Sequence, residues 1–141
     1  MANKIDLEIV TPERLVLKDE IDSLVLPAYE GQMGVLPGHA PLLAQLVEGE
    51  LKIRRGEDVQ VLAVSGGFAE VHPDNVKIFA ETAEMEKEID VERARLAAER
   101  AKKDLSQAAT PQDIANAQAA LRRALIRLRV SEGLSRRHLK K

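Results

Sequence analysis

The character of the chain changes abruptly near Glu81. Before it, β-branched and aliphatic residues come in short runs separated by Pro, Gly, Asn and Asp. After it, Ala, Glu, Lys, Arg and Leu dominate, β-branching is sparse, and no aromatic residue remains. β-branched side chains fit a pleated surface, whereas unbranched and alanine-rich segments favour helices. The break therefore predicts a β-unit followed by a helical one, placed at residues 1–86 and 87–141. A chain of 141 residues holds one ordinary domain, or one small domain with an appendage.

Within the first unit, Ile5, Leu7 and Ile9 alternate with polar residues, the period of a half-buried strand. Thr11-Pro12-Glu13 interrupts, and apolar character resumes at Leu15 and Leu17. A run from Ile21 to Leu26 stops at Pro27. Leu51 and Ile53 alternate with Lys52 and Arg54 up to Gly56. Val59 to Val64 is denser and ends at Ser65-Gly66-Gly67. Phe68 to Val71 and Val76 to Ala80 flank a turn at His72-Pro73-Asp74-Asn75. Turn signals at this spacing suit a small sandwich or barrel.

In the second unit, Val91, Ala94, Ala98, Ala101 and Leu105 are spaced for one narrow helical stripe. Ser106 to Thr110 loosens the pattern. Thr110-Pro111 then reads as an N-cap followed by proline at the first helical position, with Asp113 in the first turn. Ile114, Ala117, Leu121, Ala124 and Leu128 form a second stripe, and Gly133 marks a stop. Two helices with a short link predict an antiparallel hairpin, followed by a basic tail at Ser135–Lys141. Alanine-heavy seams bury little area. Leu105, Ile114, Leu121, Leu125 and Leu128 are the large side chains expected to anchor the pair, which should be marginal without a surface to lie on.

Charge is divided between the units. Residues 1–88 carry 8 Lys and Arg against 17 Asp and Glu, a net of −9, while residues 89–141 carry 13 against 6, a net of +7. Such a split suggests two jobs or two partners. Aromatics make up only 2%, so the core must be aliphatic, and stacking platforms for single-stranded nucleic acid are disfavoured. There is no cysteine for a disulfide or thiolate site, and His39, His72 and His138 lack metal-ligand spacing. No apolar run approaches the length of a membrane span, and MANKIDLEIV lacks the pattern of a signal peptide. A reducing compartment fits best.

Chemistry is hard to find. Ser65 has no G-x-S-x-G setting, and Ser65-Gly66-Gly67-Phe68 lacks the Lys-Ser/Thr and following helix of a phosphate-binding loop. A tight turn is expected there. No catalytic residue and no metal site is expected, and an enzyme is disfavoured. The segment Glu30 to Pro41 packs three glycines and two prolines into twelve residues, the makings of a structured loop or a rigid docking surface. On the helices, Arg93 and Arg100 share one face, and Arg123 and Arg127 another, both off the apolar stripes. Asp90–Arg93 and Glu99–Lys103 are expected as local ion pairs. Arginines that remain available suit an acidic protein surface or a polyphosphate.

Three segments together carry a resemblance along essentially the whole chain. They are Glu30-Gly31-x-x-Gly34-x-Leu36-Pro37-Gly38-His39-Ala40-Pro41, Val64-Ser65-Gly66-Gly67-Phe68-x-Glu70-Val71, and Ile89-Asp90-x-x-Arg93-Ala94. In order and spacing they resemble the epsilon subunit of bacterial and plastid F-type ATP synthases. The resemblance implies an α+β fold, an N-terminal antiparallel β-sandwich of about ten strands followed by a C-terminal antiparallel two-helix hairpin. It implies a non-catalytic place on the central rotor stalk of a proton-translocating complex, at the cytoplasmic face of the bacterial plasma membrane and peripheral to it. The partners implied are the gamma subunit and the c-ring for the sandwich. The extended hairpin would meet the alpha/beta catalytic subunits and inhibit hydrolysis. Membrane contact would come only through the complex, and nucleic acid is not a partner.

Residue by residue, the resemblance implies a rotor-docking loop at Glu30, Gly31, Gln32, Gly34, Pro37, Gly38 and His39. Gln32 stands where the family often carries a second acidic residue, which puts a charged contact there in doubt. No cofactor is required, but ATP is a candidate regulatory ligand. The family motif I/L-D-x-x-R-A is matched by Ile89, Asp90, Arg93 and Ala94, with Glu84, Arg100, Arg123 and Arg127 at the accompanying positions. Two other readings remain: a purely structural stalk adaptor whose hairpin is a passive brace, and, further off, a nucleic-acid-binding module.

Overall fold

The computed structural model describes residues 3–133; the tail Ser135–Lys141, with His138, lies outside the described residues. Ten strands form two five-stranded sheets, and two helices follow. The strands are β1 Ile5–Val10, β2 Leu15–Ile21, β3 Ser23–Ala28, β4 Gly31–Val35, β5 Leu42–Gln45, β6 Gly49–Arg55, β7 Asp58–Ser65, β8 Phe68–Val71, β9 Asn75–Phe79 and β10 Thr82–Met85. One sheet runs β2-β1-β9-β8-β5 and the other β10-β7-β6-β3-β4. Every pairing is antiparallel except β1 with β9.

The core between the sheets is aliphatic, as so few aromatics require. Ile5, Leu7, Ile9, Ile21, Leu24, Leu26, Leu51, Ile53, Leu62 and Ile78 are all essentially inaccessible to solvent. Along β1 and β6 they alternate with more exposed residues, most of them polar, the mark of a sheet face open to solvent. All three aromatic side chains lie outside this core: Tyr29 is 70% exposed, Phe68 43% and Phe79 37%.

Three strands escape the alternation pattern. β4 is built from Gly31-Gln32-Met33-Gly34-Val35 and buries fully only Val35. It is an edge strand within the segment expected to be loop. β5 is the edge of the other sheet and is only four residues long. β10, Thr82-Ala83-Glu84-Met85, lies past the change of composition and is held by pairing with β7. Pro27 stands inside β3 rather than ending it. The β6 partner reaches only Ser23–Val25, so no ladder bond is demanded of the Pro27 nitrogen, and its carbonyl accepts from the Val47 N–H at 2.9 Å.

A 3-10 turn, Glu86–Glu88, leads to α1, Val91–Gln107, and α2, Pro111–Glu132. Asp90 caps α1, accepting from the Arg93 N–H at 3.1 Å. Thr110 caps α2, accepting from the Asp113 N–H at 3.0 Å, with Pro111 in the first turn and Gly133 left-handed at the far end. The helices meet along Ala94, Ala98 and Ala101 on one side and Ala117 and Ala124 on the other, all buried.

Of the large side chains expected to anchor the pair, Leu105, Leu121 and Leu128 are half-buried, while Ile114 and Leu125 are exposed. The anchoring falls instead to the sandwich. Val130 and Ile126 of α2, together with Ile89 of the linker, pack on Val59, Val61 and Ala63 of β7. This explains the dense apolar run Val59 to Val64: Leu62 and Val64 face the inner core while the alternate residues face the hairpin. A strand covered on both faces loses its alternation.

Candidate functional site

Glu84 of β10, Ala63 of β7 and Glu50 of β6 stand in one register row across the outer face of the second sheet. An apolar column of Val59, Val61 and Ala63 thus has a carboxylate on either side. α2 lies along that column with Ile126 and Val130 downward. At 3.6 residues per turn, Arg127 and Arg129 project roughly 80° to either side of the 126/130 line. Each meets the carboxylate on its own side. Arg127 makes a two-pronged pair with Glu84, at 2.6 Å from Nε and 3.1 Å from Nη2. Arg129 Nε lies 2.8 Å from Glu50, whose side chain is only 11% exposed. Arg123, one turn earlier, lies 3.6 Å from Glu48, an ion pair too long for a hydrogen bond.

Beside this contact a cleft of about 590 Å³ opens between β10, the β1–β2 turn and the two helices. Its volume falls in the range of sites for small organic ligands. Glu84, Arg123 and Arg127 all line it, with Ala120 on α2 and Ala97 on α1. Three of the eight residues expected to hold a nucleotide are therefore brought together directly. Arg93 and Arg100 lie four before and three after Ala97, on the same face of α1, and are exposed; neither makes an ion pair with a described residue.

The other three do structural work. Ile89 is buried in the contact between linker and β7. Ala94 is fully buried in the helix seam, where a larger residue would force the helices apart. Asp90 spends a carboxylate oxygen on the α1 cap instead of an ion pair with Arg93. Glu99–Lys103 does not form either; the local ion pair on α1 is Arg95–Glu92. Arg123 and Arg127 are thus not free on the surface, as helical geometry alone allows, but engaged by the sandwich. Sequence reasoning missed Glu48, Glu50 and Arg129, whose roles depend on which strand the helix crosses, and Arg14 and Glu88, which also line the cleft.

A second candidate surface lies at the opposite edge. The β3–β4 hairpin tip carries Tyr29, Glu30, Gly31 and Gln32, all exposed. Facing it, Leu42 and Leu43 of β5 are also exposed, and the two edges enclose a groove of about 530 Å³. Gly31 has φ +127°, a conformation that side-chain-bearing residues rarely adopt. Gly34 is exposed within β4, and beyond the strand Leu36 to His39 turn back. The His39 N–H donates to the Leu36 carbonyl at 3.2 Å, and the Gly38 N–H donates to the Pro73 carbonyl at 2.7 Å. His39 Nδ1 donates to the Ala40 carbonyl at 2.8 Å, so the ring serves the turn. Pro37 is half-buried beside it. The docking-loop residues are thus spread over a strand edge and a turn. On the outer face of the first sheet, Phe68 and Phe79 stack with centroids 5.1 Å apart. Val10 and Leu15 continue their row across the sheet.

Among the described residues, no group of three or more His, Cys, Asp or Glu is placed to hold a metal ion, and no helix is long and apolar enough to cross a membrane. The features that stand out are two apolar, partly open surfaces and a helical arm seated on the sandwich by an apolar contact flanked by ion pairs. They define a subunit-type protein, one whose work is contact with other chains.

The comparisons give that class its family. Residues 4–86 match the beta-sandwich domain of the ATP synthase delta/epsilon chain, and residues 87–132 match its long alpha-helix domain. The ATP synthase epsilon chain of Syntrophobacter fumaroxidans is 50% identical over 132 residues, covering 94% of this chain and 98% of that one. That of Moorella thermoacetica is 50% identical over 128 residues, covering 90% and 96%. A chain in a structure of the Euglena gracilis mitochondrial ATP synthase (OSCP/F1/c-ring) superposes with a TM-score of 0.78 at 27% identity, covering 92% of this chain and 81% of that one. A chain of the Tetrahymena thermophila mitochondrial ATP synthase central stalk and c-ring shares the fold, with a TM-score of 0.67 at 18% identity and coverage of 92% and 97%. The chain belongs to the epsilon chain family of ATP synthases, stalk subunits distinct from the catalytic ones.

Proposed function

We propose that the sandwich couples the rotor and that the helical hairpin is a releasable inhibitor of ATP hydrolysis, gated by ATP in the cleft. The observation that carries this reading is the double use of the α2 arginines. Arg123 and Arg127 fasten the hairpin to the sandwich through Glu48 and Glu84, and both line the cleft. A nucleotide polyphosphate bound there offers them further charge-assisted hydrogen bonds in the folded-down state only, and so favours that state. A hundredfold excess of ATP over its dissociation constant shifts the balance by ~2.7 kcal/mol. Released, the same arginines, with Arg93 and Arg100, become available to acidic surface on the alpha/beta catalytic subunits.

The sandwich contributes the fixed contacts. The row of exposed Phe68, Phe79 and Leu15 with half-buried Val10, and the groove between Tyr29 and Leu43, suit partner surfaces that stay bound, here assigned to the gamma subunit and the c-ring. The Gln32 side chain offers uncharged hydrogen bonds at the tip. In this reading the subunit sits at the cytoplasmic face of the membrane and reaches it only through the complex. It serves hydrogen ion transport and ATP synthesis without a cofactor of its own.

The test is hydrolysis by the reconstituted complex with residues 89–141 removed from this subunit. Increased hydrolysis supports the inhibitor; unchanged hydrolysis reduces the hairpin to a brace. A distance label between sandwich and α2 tests the gating. ATP should raise the folded-down fraction, and Arg123→Ala should weaken that response. A label that ignores both removes the ligand from the mechanism.

A further inference from the structure

Arg14 belongs to none of the motifs above. It closes the β1–β2 turn, and its backbone is held there from both sides. The Thr11 N–H donates to the Arg14 carbonyl at 2.9 Å, and the Arg14 N–H reaches the Thr11 hydroxyl at 3.3 Å. A turn tied in this way presents its side chain from a constant origin. The side chain lines the cleft from the sandwich wall, while Arg123 and Arg127 line it from α2. Its Nη2 donates to Glu88 Oε2 at 2.5 Å, while Glu88 Oε1 accepts from the Met85 N–H at 2.9 Å.

All three arginines that line the cleft are therefore held by a carboxylate: Arg14 by Glu88, Arg123 by Glu48 and Arg127 by Glu84. Each carboxylate marks a point where an anion already binds. The Arg14–Glu88 pair is wet, at 46% and 35% side-chain exposure, so exchanging Glu88 for another anion costs little.

The charge of the cleft gives Arg14 its weight. Glu13, Glu81, Glu84 and Glu88 line it against Arg14, Arg123 and Arg127. Counting Arg93 and Arg100, which share the Ala97 face, and Glu48, which holds Arg123, five arginines stand against five carboxylates. Without Arg14 the carboxylates outnumber the arginines. At about 590 Å³ the cleft is also far larger than a single phosphate, so one ligand that pairs with the arginines of both walls must carry linked anionic groups.

We infer that Arg14 is an anion-binding residue of the cleft, holding the polyphosphate chain of a nucleotide from the sandwich side while Arg123 and Arg127 hold it from the hairpin side. This rests on the nucleotide reading of the cleft and adds a physical reason why occupancy would fasten the hairpin. The ligand would bridge two bodies that otherwise meet through β7 and a few ion pairs. Glu88, released by Arg14, keeps its bond to the Met85 N–H, so the linker need not unravel.

Calorimetric titration of the full-length protein with ATP tests this, using Arg14→Ala and Glu88→Gln beside the wild type. Arg14→Ala should bind ATP about tenfold more weakly, the loss of one charge-assisted hydrogen bond. Glu88→Gln frees Arg14 from its competitor and should bind at least as tightly as wild type. The two substitutions break the same ion pair, so a role in stapling the turn to the linker would move them in the same direction. Equal weakening by both, or wild-type affinity in Arg14→Ala, overturns the assignment while leaving the nucleotide reading standing. A wild type that binds no ATP removes the nucleotide reading, and Arg14's role with it.

Discussion

At Gly67 the backbone φ is +93°, and a β-carbon there would lie 1.9 Å from the Phe79 carbonyl oxygen. Neither the conformation nor the approach admits a side chain. The Ser65-Gly66-Gly67 signal, read in the sequence as a tight turn, is thus a place where β7 passes into β8 against the end of β9. Gly67→Ala should cost about 2 kcal/mol or more, visible as a lower melting temperature. Asp22, in the break between β2 and β3, is a different kind of single-residue device. The Lys4 ammonium and the Gly56 N–H both donate to its carboxylate and hold its pKa below the usual carboxylate range. A group whose folded pKa is depressed stabilises the fold above its unfolded value, and loses that contribution as pH falls through the folded one. Asp22→Asn should therefore lower stability at neutral pH, and the difference from wild type should shrink below about pH 4 in acid melting curves.

Among the elements, those with strong alternation or strong caps were legible. Ile5-Leu7-Ile9 and Leu51-Ile53 bury the residues their period picks out, and Thr110-Pro111 and Gly133 bound α2 where capping chemistry places them. β4, β5 and β10 were not, because edge strands bury one or two side chains and owe their form to a neighbour's unpaired backbone. The dense run Val59 to Val64 is apolar on both faces and so needs cover on both, but that the hairpin supplies it is seen only in the structure. The hairpin itself joins through alanine, and its larger apolar contacts are with the sandwich. A peptide of residues 85–141 should therefore show only partial helicity by circular dichroism and melt without a cooperative transition. A sharp, concentration-independent melt would show that the alanine seam suffices.

For the whole molecule, the net −9 of the front and +7 of the rear meet in the ion pairs of Arg123, Arg127 and Arg129 with Glu48, Glu84 and Glu50. The ion pairs of Arg123 and Arg127 with the sandwich are partly exposed and therefore salt-sensitive. The apolar contact of Ile89, Ile126 and Val130 with β7 is not. Raising salt from 0.05 M to 1 M should lower the folded-down fraction of the isolated protein, read by a distance label, without abolishing it. Val130→Ala should add to the salt effect, since it removes contact the salt leaves intact. A folded-down fraction insensitive to salt would mean that the carboxylates hold the arginines in register without holding the hairpin down.

The sequence by itself determined the two-part plan, the aliphatic core, the ends of α2, the opposite charges and the arginine candidates. These depend on side-chain period, cap chemistry and composition, all local to a stretch of chain. Only the tertiary structure decided which of those candidates meet. Asp90 becomes a cap, Ile89 and Ala94 become packing, and Glu84, Arg123 and Arg127 share a cleft with Arg14 and Glu88. Those meetings depend on where α2 crosses β7 and which strands flank it. That is a matter of long-range pairing and of two faces finding each other, which no local pattern encodes.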